Sequence, residues 1–189
     1  RHDIRGYPIN GSFYALLTSK HKYFLHFDSD MFIYKGLGEH WIIRAISVLD
    51  SNADVAAVMP RGGPPTSDIT IYQDKNTFSV DDRGFFSFST FSTRLFLVDV
   101  ERFWSLHPMK PLWLGRRDQL RSLWDGQGKA LSWESMVSKA LSERNLLRAD
   151  LFSTDAWSLH PPTKDETYLR YLPDIIDAIE AGRYPPEQV

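Results

Sequence analysis

The sequence predicts an α/β layered fold with a partly parallel sheet. Three observations carry that expectation. Short apolar runs alternate with amphipathic helical stretches along the chain, the pattern of a sheet covered by helices. A compact run, Lys22-Tyr23-Phe24-Leu25-His26-Phe27, leads straight into Asp28-Ser29-Asp30. The 189 residues, 42% hydrophobic and 24% charged, have the size and balance of one domain with a real core.

The elements follow in order. Residues 11–20 read as the end of a short helix, with Phe13, Leu16 and Leu17 on one side. Lys22–Phe27 reads as a buried strand. Leu37, Trp41, Ile42, Ala45, Val48 and Leu49 recur at helical spacing, so about 38–50 is an amphipathic helix closed by Ser51-Asn52. Asp54–Met59 is a second short buried strand, and Pro60-Arg61-Gly62-Gly63-Pro64-Pro65 forces a loop after it. Ile69–Tyr72 and Phe85–Val100 are β-rich, and Arg94–Val100 is the clearest strand. Pro108–Gly128 carries repeated Pro and Gly breakers and reads as a long loop with one helical turn near Asp118–Leu123. Ser132 is the N-cap of a strong helix whose apolar stripe is Trp133, Met136, Val137, Ala140 and Leu141. Leu151–Thr154 is a last short strand. Pro173–Ala181 is a helix with proline near its first turn and Gly182 at its end.

Composition removes several classes. Lys+Arg 22 against Asp+Glu 24 gives a net charge of −2, which argues against a nucleic-acid partner. The chain has no cysteine, which excludes disulfides, thiolate nucleophiles and cysteine-bound zinc. No apolar run approaches the ~20 residues of a bilayer span, so no transmembrane segment is expected. Nothing at the start marks secretion, so a cytoplasmic location is expected, with peripheral contact to a membrane as its variant. Aromatics make up 14%, enough for a large core or for platforms against sugars and bases.

Asp28 and Asp30 are the main chemical lead. In an extended backbone, side chains at i and i+2 point the same way, so both carboxylates would face one divalent cation or one metal–polyphosphate complex. Their place just after a strand suits this, because ligands of α/β sheets lie beyond the carboxyl ends of strands. A surface turn is the plainer use of Asp-Ser-Asp. Trp104, Trp113, Trp124 and Trp133 cluster near Arg116, Arg117 and Arg121. They are candidates to line an acceptor cleft. Core packing is the alternative for the tryptophans, and a solvated face or lipid phosphate for the arginines.

Tyr23-Phe24-Leu25-His26-Phe27-Asp28-Ser29-Asp30-Met31-Phe32 resembles the strand-plus-DxD signature of GT-A glycosyltransferases, most like the family 2 type. The resemblance continues in order through Asp54–Met59, Phe91–Val100, Trp133-Glu134 and Trp157-Ser158-Leu159-His160-Pro161, and the tail from His160 to Gln188 is similar to tails of bacterial members. It implies a GT-A, nucleotide-diphospho-sugar-transferase-like layered fold with a mixed, largely parallel sheet. Residues 1–189 would be one domain, the C-terminal portion of the GT-A domain. Only 27 residues precede Asp28 and the first is Arg1, so the resemblance implies that the base-binding front is missing.

The implied activity is metal-dependent, inverting transfer of a sugar from a nucleotide-sugar donor to an acceptor hydroxyl, on a glycan or lipid-linked acceptor, in bacterial surface polysaccharide synthesis. Asp28, Ser29 and Asp30 would hold the donor. Asp30, Asp28 and His160 would hold Mn²⁺ or Mg²⁺, which acts as Lewis acid and template for a diphosphate leaving group. Glu134 would be the general base, although the family often shows Glu-Asp where this chain has Glu134-Ser135, and the helix dipole alone favours an acid there. Asp125 and Glu143 are substitutes. Trp133 and Arg116 would bind the acceptor. Two other readings remain. A haloacid-dehalogenase-like phosphohydrolase also uses an apolar strand plus D-x-D, with Asp81-Asp82 as its later acidic pair, but Phe32 stands where it expects Thr or Val. A catalytically inactive transferase-like module that binds carbohydrate or protein is the third.

Overall fold

The computed structural model describes residues 10–64, 78–124, 130–160 and 165–183. The expected strand Ile69–Tyr72 and the candidate Asp125 lie outside them. The first half contains α1 (Asn10–Thr18), β1 (Tyr23–Phe27), β2 (Phe32–Lys35), α2 (Trp41–Ser51), β3 (Val55–Met59) and β4 (Arg61–Gly62). It continues with β5 (Phe78–Asp81), β6 (Phe85–Phe88), β7 (Leu95–Asp99) and α3 (Val100–Trp104). The last part holds α4 (Arg116–Trp124), α5 (Trp133–Glu143), β8 (Leu147–Leu151), β9 (Ala156–Leu159) and α6 (Glu166–Glu180).

Six strands form the main sheet in the order β1-β7-β3-β8-β6-β5, and β2-β9-β4 form a second, small sheet. The main sheet is mixed, with one parallel neighbour pair, β3–β8; the other neighbours are antiparallel. It is therefore less parallel, neighbour by neighbour, than the resemblance implied. The reason is connectivity. β7 is wedged antiparallel between β1 and β3, and a turn at Asp81–Gly84 folds β5 onto β6 as a hairpin. Gly84 closes that turn at φ 92°, a conformation that a Cβ disfavours. Strand directions still agree widely. β1, β3, β8 and β5 run one way, and β7 and β6 the other. The carboxyl ends of β1, β3 and β8 thus share an edge with the start of β7.

Helices cover both faces of this sheet. On one side α2 packs Trp41, Ala45 and Leu49 against Val58, Leu95, Leu97 and Ala149. On the other, Leu16 of α1, Phe103 of α3 and Trp133, Val137 and Leu141 of α5 meet Ala57, Met59, Phe96 and Val98. Alternate residues of β7 feed the two cores, β3 feeds both with an irregularity at Ala56, and both strands are buried throughout. β1 is different. It is an edge strand among the described residues, with Leu25 41% and Phe27 45% exposed, so the buried strand expected from its apolar sequence is a half-covered one.

Other boundaries moved. The last strand expected at Leu151–Thr154 is instead two strands, β8 before it and β9 after it. The last helix begins at Glu166, capped by Asp165, and carries Pro173 inside it. The loop after β3 contains β4, two residues paired parallel to β9. The amphipathic helix near 38–50 and the Ser132-capped helix form as expected, with the Ser132 hydroxyl accepting the Ser135 N–H. α6 closes the small sheet by packing Ile175 and Ile179 onto Trp157, Leu159 and Phe32.

Candidate functional site

The small sheet assembles the site. β2 pairs antiparallel with β9 in the register Phe32↔Leu159. The residue before β2 and the residue after β9 therefore lie at the same end. This brings Asp30 and His160, 130 positions apart, to 3.8 Å between carboxylate Oδ2 and imidazole Nε2. Each is about three-quarters buried. β4 lies on the other side of β9, and the Gly63 N–H donates to the Ser158 carbonyl at 2.9 Å, so Gly62 and Gly63 arrive at that end too.

A cleft of about 110 Å³ opens beside this pair. Its walls come from Met31, from Met59 and Pro60 after β3, and from Ser92, Arg94 and Leu95 leading into β7. Arg148 and Asp150 of β8 and Gly62, Gly63, Ser158 and His160 of the small sheet complete it. The cleft thus lies at the shared edge where β1, β3 and β8 end, the place expected of a ligand site in a sheet of this kind.

The two aspartates do not act as the extended backbone implied. The Met31 N–H donates to the Asp28 carbonyl at 3.1 Å, making a turn of Asp28–Met31 that sends the two side chains apart. Asp28 meets His26 at 2.8 Å between Oδ1 and Nε2, and the His26 ring stacks on Phe96 with centroids 5.0 Å apart. Asp30 turns toward His160. Ser29 is exposed at the tip of the turn. Among the described residues no three His, Asp or Glu side chains converge on one point. Of the expected metal set, the structure brings Asp30 and His160 together, while Asp28 pairs with His26.

Glu134 sits in the first turn of α5, half-buried. Its Oε2 accepts the Thr93 N–H at 3.3 Å and faces the Thr93 hydroxyl at 3.5 Å. Thr93 lies between Ser92 and Arg94, so Glu134 holds the loop that forms one cleft wall from behind. Among the described residues it is not itself part of the lining. The acceptor residues fare differently. Trp133 is 7% exposed and packs edge-on against Phe13, Phe91, Phe96 and Phe103, a core role. Arg116 is exposed at the start of α4 and is not a lining residue. Asp81-Asp82, the pair a phosphohydrolase would need, lies at the β5–β6 turn. β5 and β1 are opposite edges of the sheet, separated by five strand spacings, about 24 Å. Asp81 is instead gripped with Asp54 by the Arg83 guanidinium.

The cleft also contains groups that the sequence reading passed over. Arg148 and Asp150 form a buried pair at its floor, with Nε to Oδ1 2.8 Å and Nη2 to Oδ2 3.2 Å. Burial pushes the Asp150 carboxyl up to about 6, against the opposing pull of Arg148. Arg148 lies over the Phe88 ring at 3.8 Å. A signal for them existed: in Leu147-Arg148-Ala149-Asp150-Leu151, the polar residues alternate and so share one sheet face. Arg94 adds an exposed guanidinium at the rim.

The fold and the cleft define a mixed α/β protein whose site at the strand ends is lined by apolar and charged side chains together. Compared with family models, curated proteins and solved structures, the chain matches none. Among the described residues no helix is long and apolar enough to cross a membrane.

Proposed function

We propose that this chain is a metal-dependent glycosyltransferase of the GT-A type that moves a sugar from a nucleotide-sugar donor to an acceptor hydroxyl with inversion. The observation that carries the reading is the Asp30–His160 pair at 3.8 Å, of which His160 lines a cleft beyond the ends of β1, β3 and β8 and Asp30 stands behind it. One carboxylate and one imidazole suit a divalent cation such as Mn²⁺, and two protein ligands plus substrate phosphates are a common arrangement for such ions. When bound, the ion supplies charge compensation to the departing diphosphate.

The chain's own groups supply the rest of the site. Arg94 offers a further positive charge to the diphosphate. The Arg148–Asp150 pair gives the cleft floor both donors and an acceptor for sugar hydroxyls. The cleft volume of about 110 Å³ is below the roughly 300–1,000 Å³ of whole-ligand pockets. It takes only a part of a donor, such as its sugar or its phosphates. Glu134 positions the Ser92–Arg94 wall through Thr93, and in this reading it is the general base.

The test is calorimetric titration of Mn²⁺, followed by a panel of nucleotide sugars, into the chain and into Asp30→Asn. We expect Mn²⁺ to bind the native chain, donor binding to require it, and the variant to weaken metal binding by more than about tenfold. No Mn²⁺ binding by the native chain, or equal Mn²⁺ affinity in the variant, overturns the proposal.

A further inference from the structure

α4 exposes two large apolar side chains, Leu120 and Trp124, to solvent. The stretch is pinned at its base, where the Leu131 N–H donates to the Leu112 carbonyl at 2.8 Å and Trp113 bridges to Ala130. Two polar side chains of α4 turn inward. Ser122 is buried and its hydroxyl donates to the Gln119 carbonyl, while Gln119 Nε2 donates to the Leu114 carbonyl at 2.7 Å. The outward side carries Arg117, Leu120, Arg121 and Trp124, spaced as one helical stripe. Leu120 is 69% and Trp124 89% exposed, and Trp113, at the other end of the stretch, is 61% exposed.

The charge of this stretch opposes that of the chain. Residues 110–124 hold Lys110, Arg116, Arg117 and Arg121 against Asp118 alone, a local balance of +3 in a chain of net −2. Exposed tryptophans flanked by arginines are the chemistry of the bilayer interface. The indole rings lie at headgroup depth, and arginine stems cover apolar surface while their guanidinium groups meet lipid phosphate. A nucleic-acid partner would use the arginines but leave Leu120 in water.

We propose that α4, with Trp113, is a docking surface for anionic lipid bilayers, holding the chain on the membrane surface without entering it. The inference rests on α4 alone and stands or falls apart from the metal-cleft reading.

The experiment is co-sedimentation of the full chain with vesicles of phosphatidylcholine alone and of phosphatidylcholine with about one-third phosphatidylglycerol. We expect binding to the anionic vesicles, weakening with salt, and little binding to the neutral ones. The double variant Arg117→Glu, Arg121→Glu should lose at least about twentyfold, at roughly fivefold per arginine. Trp124→Ala should lose several-fold. Circular dichroism checks that these exposed substitutions leave the fold intact. Failure to bind anionic vesicles, or binding that neither variant weakens, overturns the proposal. So does a Trp124-dependent dimer seen by light scattering with no vesicle binding, which would assign the surface to a second copy of the chain.

Discussion

Asp150 makes a pH prediction whose sign differs from that of most carboxylates. It is 1% exposed, and burial raises its carboxyl from 3.8 to about 6 although Arg148 pulls the other way. A carboxyl with a higher pKa in the folded chain than in the unfolded one contributes stability that is fully present below about 3.8. That contribution is lost as pH rises and is gone just above about 6. The loss amounts to about 3 kcal/mol, at a slope of about 1.4 kcal/mol per pH unit. Asp54 and Asp81 behave oppositely. Arg83 holds both carboxyls below the usual range, so their contribution is present at neutral pH and lost on acidification. Asp150→Asn keeps the shape; it removes the titration and, as an offset that does not vary with pH in the variant, the ion pair with Arg148. Urea unfolding of both proteins from pH 4 to 7.5 isolates the titration, because the Arg83 network titrates alike in each. The stability of the native chain minus that of the variant should fall by about 2 kcal/mol across that range, because part of the loss already lies below pH 4. A difference that stays constant would refute the reasoning, since it would mean that Arg148 keeps the carboxylate ionised throughout.

Two further substitutions test the packing. Trp133→Ala should cost about 3–5 kcal/mol in urea unfolding, the loss of a buried aromatic at the centre of the α5-side core; a loss under about 1 kcal/mol would mean that the ring is not buried there. Arg83→Ala removes the fork that ties the β5–β6 turn to Asp54. Its partners are partly exposed, so the cost should be about 1 kcal/mol and should shrink in high salt, as thermal melts at two salt concentrations would show.

Parts of this molecule are legible in its residues because their cause is local. The helical spacing from Trp41 to Leu49 and the Ser132 cap act within a few residues of themselves, and α2 and α5 form where they predict. Val55–Met59 and Leu95–Asp99 are apolar enough to demand cover on both faces, and both strands have it. Tyr23–Phe27 has a similar composition but lies at an edge, because an apolar run says that burial is favourable and not which strand supplies it. Trp133 and Trp124 are the same residue type, one in the core and one in water, for the same reason.

The sequence by itself determined α2, α5, β3 and β7, the Ser132 cap and the acidic turn after β1, since each depends on neighbours in the chain. Only the tertiary structure decided what those elements bring together. A single residue of slip in the Phe32↔Leu159 register would move the end of β9 and turn its side chains to the other face, and with it the partner that faces Asp30. The backbone turn at Asp28–Met31 separated two carboxylates that their spacing had joined, and strand order alone set Asp81-Asp82 far from them. Such placements come from long-range pairing, whose free energy is shared among many residues and written in no single one of them.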